Sequence, residues 1–167
     1  SDLTDNNPWA VTAQQLTATN SFTVVVNEVN TAPTLPAQAS RTINEQTLLT
    51  VTNAASDADL PANSFSYSLS GPGGAAIDAN GVITWTPAEN QGPSTNVFTT
   101  IVTDNNPWAV TAQQLTATNS FTVVVNEVNL APTLPAQSSR TINEQTLLTV
   151  TNAASDADLP ANSFSYS

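Results

Sequence analysis

The chain contains no Lys, no His, no Cys and no Met, and its only cations are Arg41 and Arg140. These absences exclude whole classes of chemistry. Two arginines against thirteen acids, a formal charge of −11, cannot neutralise a nucleic-acid backbone or an anionic membrane surface. Without His or Cys there is no thiol nucleophile, no Ser-His triad, and no nitrogen or sulfur donor for zinc or haem. Disulfide stapling and a lysine Schiff base are equally closed. No run approaches the ~20 apolar residues of a membrane-spanning helix, so no membrane insertion is expected of this stretch. Charged residues are only 9% of the chain and hydrophobic ones 40%, so Thr, Ser, Asn and Gln make up most of the remainder.

What is present is a repeat. Thr4–Ser68 recurs as Thr103–Ser167, changed only where Thr31 becomes Leu130 and Ala39 becomes Ser138, so the period is 99 residues. The segment from Asn27 to Pro33 reads as a linker, short, Pro-containing and preceded by a strongly apolar strand. On that phase residues 31–129 form one complete unit. Residues 1–30 are expected to be the C-terminal strands of a preceding repeat, and residues 130–167 the N-terminal strands of a following one. The whole is expected to be a window on a longer tandem array.

Inside the complete unit the apolar period is two, as in half-buried strands. Leu49, Val51 and Ala55 alternate with polar neighbours, and Phe65, Tyr67 and Leu69 alternate with serines. Ile77 leads through the turn residues Asp78-Ala79-Asn80-Gly81 into Val82-Ile83-Thr84-Trp85, a hairpin signature. Phe98, Thr100 and Val102 share one strand face, as do Phe121, Val123 and Val125. No segment carries a helical apolar stripe. About seven short strands in ~100 residues, punctuated by Pro, Gly and Asn, predict an all-β, antiparallel Greek-key sandwich. Trp85, Phe98, Phe121 and Tyr67 are the expected large core residues. Arg41 and Arg140 are expected to pair with nearby acids at the surface.

Several of these segments resemble a known family. Ala55-Ser56-Asp57-Ala58-Asp59-Leu60-Pro61-Ala62-Asn63, followed by the strand Phe65–Leu69, is similar to the Asp-x-Asp segment of cadherin repeats. The hairpin from Ile77 to Pro87, the closing Val102-Thr103-Asp104-Asn105 and the linker Asn126-Glu127-Val128-Asn129-Leu130-Ala131-Pro132 continue the resemblance in order. The chain as a whole resembles bacterial cadherin-like repeats of the dystroglycan type and the Ig-like repeats of large bacterial surface proteins. The resemblance implies tandem seven-stranded cadherin/Ig-like sandwiches, an extracellular or cell-surface location and no enzymatic activity.

It also implies Ca2+ at the joints between repeats. Carried over residue by residue, the first joint would use Glu28 and Asn30 with Asp57, Asp59 and Asp104, and Asn63 could add an amide oxygen. The second would use Glu45, Glu89, Glu127 and Asn129 with Asp156 and Asp158. Thr31 and Leu130 stand where the cadherin linker has an Asp, so fewer calcium sites than in true cadherins are implied. Other readings of the same residues are weaker. Asp57 and Asp59 as a glycosidase pair would demand an identical active site in every repeat. The glycines Gly71, Gly73 and Gly74 precede neither a helix nor a Lys, which excludes a phosphate loop. Trp9 and Trp108, just past Asp5 and Asp104, could stack on a sugar, brace the neighbouring domain or fold back over their own sandwich. The expected role is a structural or adhesive stalk whose first partners are neighbouring repeats. A self-assembling fibre of many copies, and a repeat module binding glycans or surface proteins by avidity, are the alternatives.

Overall fold

The computed structural model describes residues 1–12 and 15–166. Its strands are β1 (Asp2–Asn6), β2 (Gln15–Thr19), β3 (Arg41–Asn44), β4 (Leu49–Thr52), β5 (Ser64–Ser70), β6 (Ala76–Ile77), β7 (Val82–Trp85), β8 (Ser94–Asn105) and β9 (Thr116–Asn126). The helical content among the described residues is one 3-10 turn at Glu89–Gln91. Strands β3-β9-β8-β5 form one sheet and β4-β7-β6 another, while β1 and β2 pair only with each other. The fold is an all-β sandwich.

Alternation decides what the sandwich buries. Phe98, Thr100 and Val102 of β8 and Phe121, Val123 and Val125 of β9 face inward, against Leu49 and Val51 of β4 and Ile83 and Trp85 of β7. Phe98 stacks on Phe121 at 5.2 Å between ring centroids and meets Trp85 edge-on at 5.4 Å. The buried indole is satisfied, because Trp85 Nε1 donates to the carbonyl of Gly73 at 3.2 Å. A polar hub ties the two sheets together beside this core. Asn53 is fully buried; its Nδ2 donates to Thr100 Oγ1, and its Oδ1 accepts from Gln38 and Asn119. Gly81 closes the β6–β7 hairpin at φ 77°, and a Cβ there would lie 2.5 Å from the carbonyl oxygen of Asn53.

Three expectations need correction. The sandwich is not wholly antiparallel, because β3 runs parallel to β9 with Asn44 opposite Asn126. The chain enters the unit at the end where β8 stops and β9 starts. It bridges Thr34 to Ser56, crosses to the other sheet and then necessarily runs the way β9 runs. Tyr67 is half-buried rather than core, since β5 is a sheet edge; its hydroxyl accepts a hydrogen bond from the Ala55 backbone at 2.9 Å. Among the described residues Arg41 meets no acid. It donates to Gln38 Oε1 and the Ala39 carbonyl and lies over the Phe121 ring at 5.3 Å, while Arg140 donates to Gln137.

The flanking copies behave differently from the central unit. β1 and β2 pair Leu3 with Ala18, the register in which β8 and β9 pair Val102 with Ala117. Residues 20–27 repeat the sequence of 119–126, yet form no ladder: Phe22 is 85% exposed where Phe121 is 4%. After the linker, the Thr133–Ser155 bridge reproduces Thr34–Ser56, and residues 140–150 remain exposed.

Candidate metal centres at the two ends of the sandwich

One acidic cluster crowns the end where the chain enters. Asp104 closes β8, Asp57 and Asp59 lie in the connection from β4 to β5, and each offers a carboxylate oxygen within 4.8 Å of the others. The linker lies across them. Thr31 N–H donates to both Asp59 oxygens, at 2.9 and 3.3 Å, and Asn30 Nδ2 donates to both oxygens of Asp104 at 3.2 Å. Asp59 N–H donates to Asp57 Oδ1, and Asn63 Nδ2 donates to Asp59 Oδ2. Asn106 Nδ2 reaches both Asp59 Oδ2 and Glu28 Oε1. The Thr31 amide is the largest cause holding the Asp59 carboxyl below the usual aspartate value, with Asn63 and Asn106 adding to it against the opposing effect of burial. Three buried oxygens here have no hydrogen-bond partner: Asn30 Oδ1, Asp57 Oδ2 and Asn63 Oδ1.

The second cluster lies at the opposite end and follows from the parallel strand pair. With Asn44 beside Asn126, the next residues of the two strands, Glu45 and Glu127, come side by side. Glu45 N–H donates to the Asn126 carbonyl, and Val128 N–H donates to Glu45 Oε1. Glu89 joins them from the 3-10 turn, its Oε2 accepting from Gln46 Nε2, and the three carboxylates again fall within 4.8 Å of one another. Glycine makes the room: a Cβ on Gly92 would stand 2.5 Å from Glu45 Oε2. Burial, and then the charges of Glu45, Glu89 and Asp158, push the Glu127 carboxyl above the usual glutamate value. Glu45 Oε2, Glu89 Oε1 and both Glu127 oxygens lack partners.

The linker after β9 rebuilds half of the first cluster. Leu130 N–H donates to both Asp158 oxygens, Asp158 N–H to Asp156 Oδ1, and Asn162 Nδ2 to Asp158 Oδ2, copying Thr31, Asp57, Asp59 and Asn63. Asn129 does not follow its copy. It is exposed where Asn30 is buried, because the carboxylate that Asn30 grips belongs to Asp104, whose counterpart would fall one period further on. Trp108 is 67% exposed, so it does not fold back over its own sandwich, and Trp9 is 90% exposed. Sequence reading missed Asn106, Asn162 and Gly92. Asn106 was within reach: it stands two residues after Asp104 at the end of a strand, the spacing that marks Asp57 and Asp59. Asn162 needed only the period, being the copy of Asn63.

Oxygen donors alone, carboxylate-rich and carried on loops, suit a hard divalent cation and above all calcium, which takes six to eight oxygens. The unpartnered buried oxygens supply the open lone pairs such an ion needs, so the residues present fit calcium.

The family model for the bacterial Ig domain matches residues 30–118. The chain belongs to the bacterial Ig domain family. Domains 3–6 of protocadherin gamma B2 match at 19% identity and a TM-score of 0.47, over 75% of this chain and 33% of that one. Mouse cadherin-23 EC22–24 matches at 23% identity and a TM-score of 0.43, over 64% of this chain and 34% of that one. The chain spans about a third of the length of these two structures. No curated protein matches it. A bacterial Ig domain of this kind is typically an extracellular structural or adhesive module rather than an enzyme.

Proposed function

We propose that this bacterial Ig domain is one unit of an extracellular stalk, with residues 31–129 as the complete repeat and residues 1–30 and 130–167 as parts of its neighbours. Its task is mechanical, to space or carry load, and its stiffness is set at the joints. The observation that carries this reading is the set of buried oxygens without partners at both ends of the sandwich, each set joined to a linker. Across one joint, the cluster of Glu45, Glu89 and Glu127 of one repeat lies near enough to the next that Asp158 acts on the Glu127 carboxyl. When bound, calcium supplies positive charge that cancels the repulsion among these carboxylates. The linker amides of Thr31 and Leu130 hold Asp59 and Asp158 in place. Glu45 fixes the start of the outgoing linker through Val128.

The test is a melt of two whole tandem repeats in millimolar calcium and again in chelator, beside calorimetric titration with calcium chloride. A native-state ligand at a hundredfold over its Kd adds about 2.7 kcal/mol, which raises the Tm of a ~100-residue domain by on the order of 10 °C. The rise should be lost in Asp57→Asn/Asp59→Asn with the same changes in the second copy. Superimposable melts and no binding heat would leave these acids as solvated end groups.

A further inference from the structure

The two ends of the sandwich also carry complementary surfaces that border the acidic clusters. At the head, the linker and the loop after β8 meet in one parallel bridge: Glu28 pairs with Ala109, Val110 N–H donates to the Glu28 carbonyl at 3.0 Å, and Asn30 N–H donates to the Thr111 hydroxyl at 3.3 Å. Side chains along extended chain alternate between faces. Ala109 and Asn30 turn inward and are 7% and 8% exposed, whereas Trp108, Val110 and Val29 stay 67%, 63% and 59% exposed on the outer side. The head therefore presents one apolar outer face on a loop tied to the linker by one backbone hydrogen bond and one to the Thr111 hydroxyl. At the foot, Asn44, Glu45, Gln46, Thr47, Val128 and Leu130 line an open groove of about 240 Å3, so the groove borders the second acidic cluster through Glu45. Val128 is the copy of Val29 one period on. The same linker valine thus belongs to the head face in one joint and to the foot groove in the other.

We propose that, in a continuous array, Trp108 of each repeat docks into the foot groove of the repeat before it and sets the angle of the joint. The inference rests on the array reading above, because each 99-residue period supplies the half of the joint that its neighbour lacks. The chemistry matches. An indole is a large apolar body with one N–H donor, and the groove offers Val128 and Leu130 for the ring and the side-chain oxygens of Asn44, Gln46 and Thr47 for the donor. Docking a preordered loop loses little conformational freedom. The one linker difference between copies falls on this surface: Leu130 lines the groove of the second joint, where the first has Thr31. The second joint is the more apolar of the two.

The test uses the 167-residue chain extended in phase at both ends to three whole repeats. The chain has no cysteine, so Thr50→Cys and Thr149→Cys place two spin labels on exposed sites either side of the second joint. Pulsed electron resonance should give a narrow distance distribution in the extended chain. Trp108→Ala in every copy should abolish that narrow peak, Trp108→Phe should keep most of it, and Val128→Asp should abolish it from the groove side. Sandwich melting, followed through the buried Trp85, should hold in all three. Acrylamide should quench the joint tryptophans less in the extended chain than in the 167-residue chain. A distribution indifferent to Trp108→Ala, or equal quenching in both chains, would overturn the proposal and leave Trp108 free as a surface for sugars. Repeating the measurements in chelator separates the two readings. A Trp108 effect that survives while calcium changes nothing sinks the cation joint and keeps the docked Trp108. A calcium effect without a Trp108 effect does the reverse.

Discussion

Asp78 shows how much one side chain can organise in this fold. Its Oδ1 accepts from Asn80 N–H and Val82 N–H, both at 2.8 Å, and so shapes the turn that Gly81 completes. The Val82 amide is the largest cause holding the Asp78 carboxyl below the ordinary aspartate value of 3.8, with Asn80 adding to it. A carboxyl with a lowered folded pKa stabilises above its unfolded value and loses that stability as pH falls through the folded one. Asp78→Ala should therefore lower Tm at neutral pH, and the gap to the parent should close below pH 3.8, as calorimetry across that range will read. Turn chemistry of this kind is local, and Asp78, Asn80 and Gly81 announce it in the sequence. The fully buried Asn53 does not announce itself, because its partners Thr100 and Asn119 come from distant strands of the other sheet.

At the scale of the element, a strand exists only where its neighbours do. Ser-Phe-Thr-Val-Val-Val-Asn is a strand between β3 and β8 at residues 120–126 and an unpaired, exposed segment at 21–27. The alternation of apolar residues marks both as strands; only a neighbour on either side makes one. Phe121→Ala should cost about 3–5 kcal/mol, the usual loss for a buried phenylalanine. Phe22→Ala should be within the ±0.5 kcal/mol typical of surface changes in the 167-residue chain, and should cost as much as Phe121→Ala once whole repeats surround it. Urea unfolding of the two variants checks both numbers. The same scale explains β3. Its residues forecast a strand, but nothing local to them says that it runs parallel to β9, and that pairing alone sets Glu45 beside Glu127.

Across the whole molecule the charge of −11 is spread over both ends and the surface, with two arginines that meet glutamines. Spread charge and buried charge answer salt differently. The Debye length falls from about 30 Å at 0.01 M to about 10 Å at 0.1 M, so salt screens exposed repulsion strongly and partly buried repulsion much less. In chelator, raising sodium chloride over that range should raise Tm. Glu127→Gln should raise Tm in chelator as well, because it removes one of three crowded carboxylates, and this gain should persist at high salt. In calcium the same change should lower Tm. Scanning calorimetry at two salt concentrations, with and without calcium, reads every sign.

Period, strand faces, hairpin and acidic pairs were all legible from residues alone, because each depends on neighbours in the chain. Alternation reports which face is apolar, Asn80-Gly81 reports a turn, and a 99-residue copy reports itself. Asp57 and Asp59 share a side for the same short-range reason. Pairing partners are another matter, since they are chosen by closure of the sandwich among segments far apart in sequence. That closure placed Glu45, Glu89 and Glu127 together from three separate elements, buried Phe121, and left Trp108 and Val29 exposed. An identical sequence with different neighbours buries different atoms, so the contacts that set a joint belong to the assembled fold and not to any one stretch of chain.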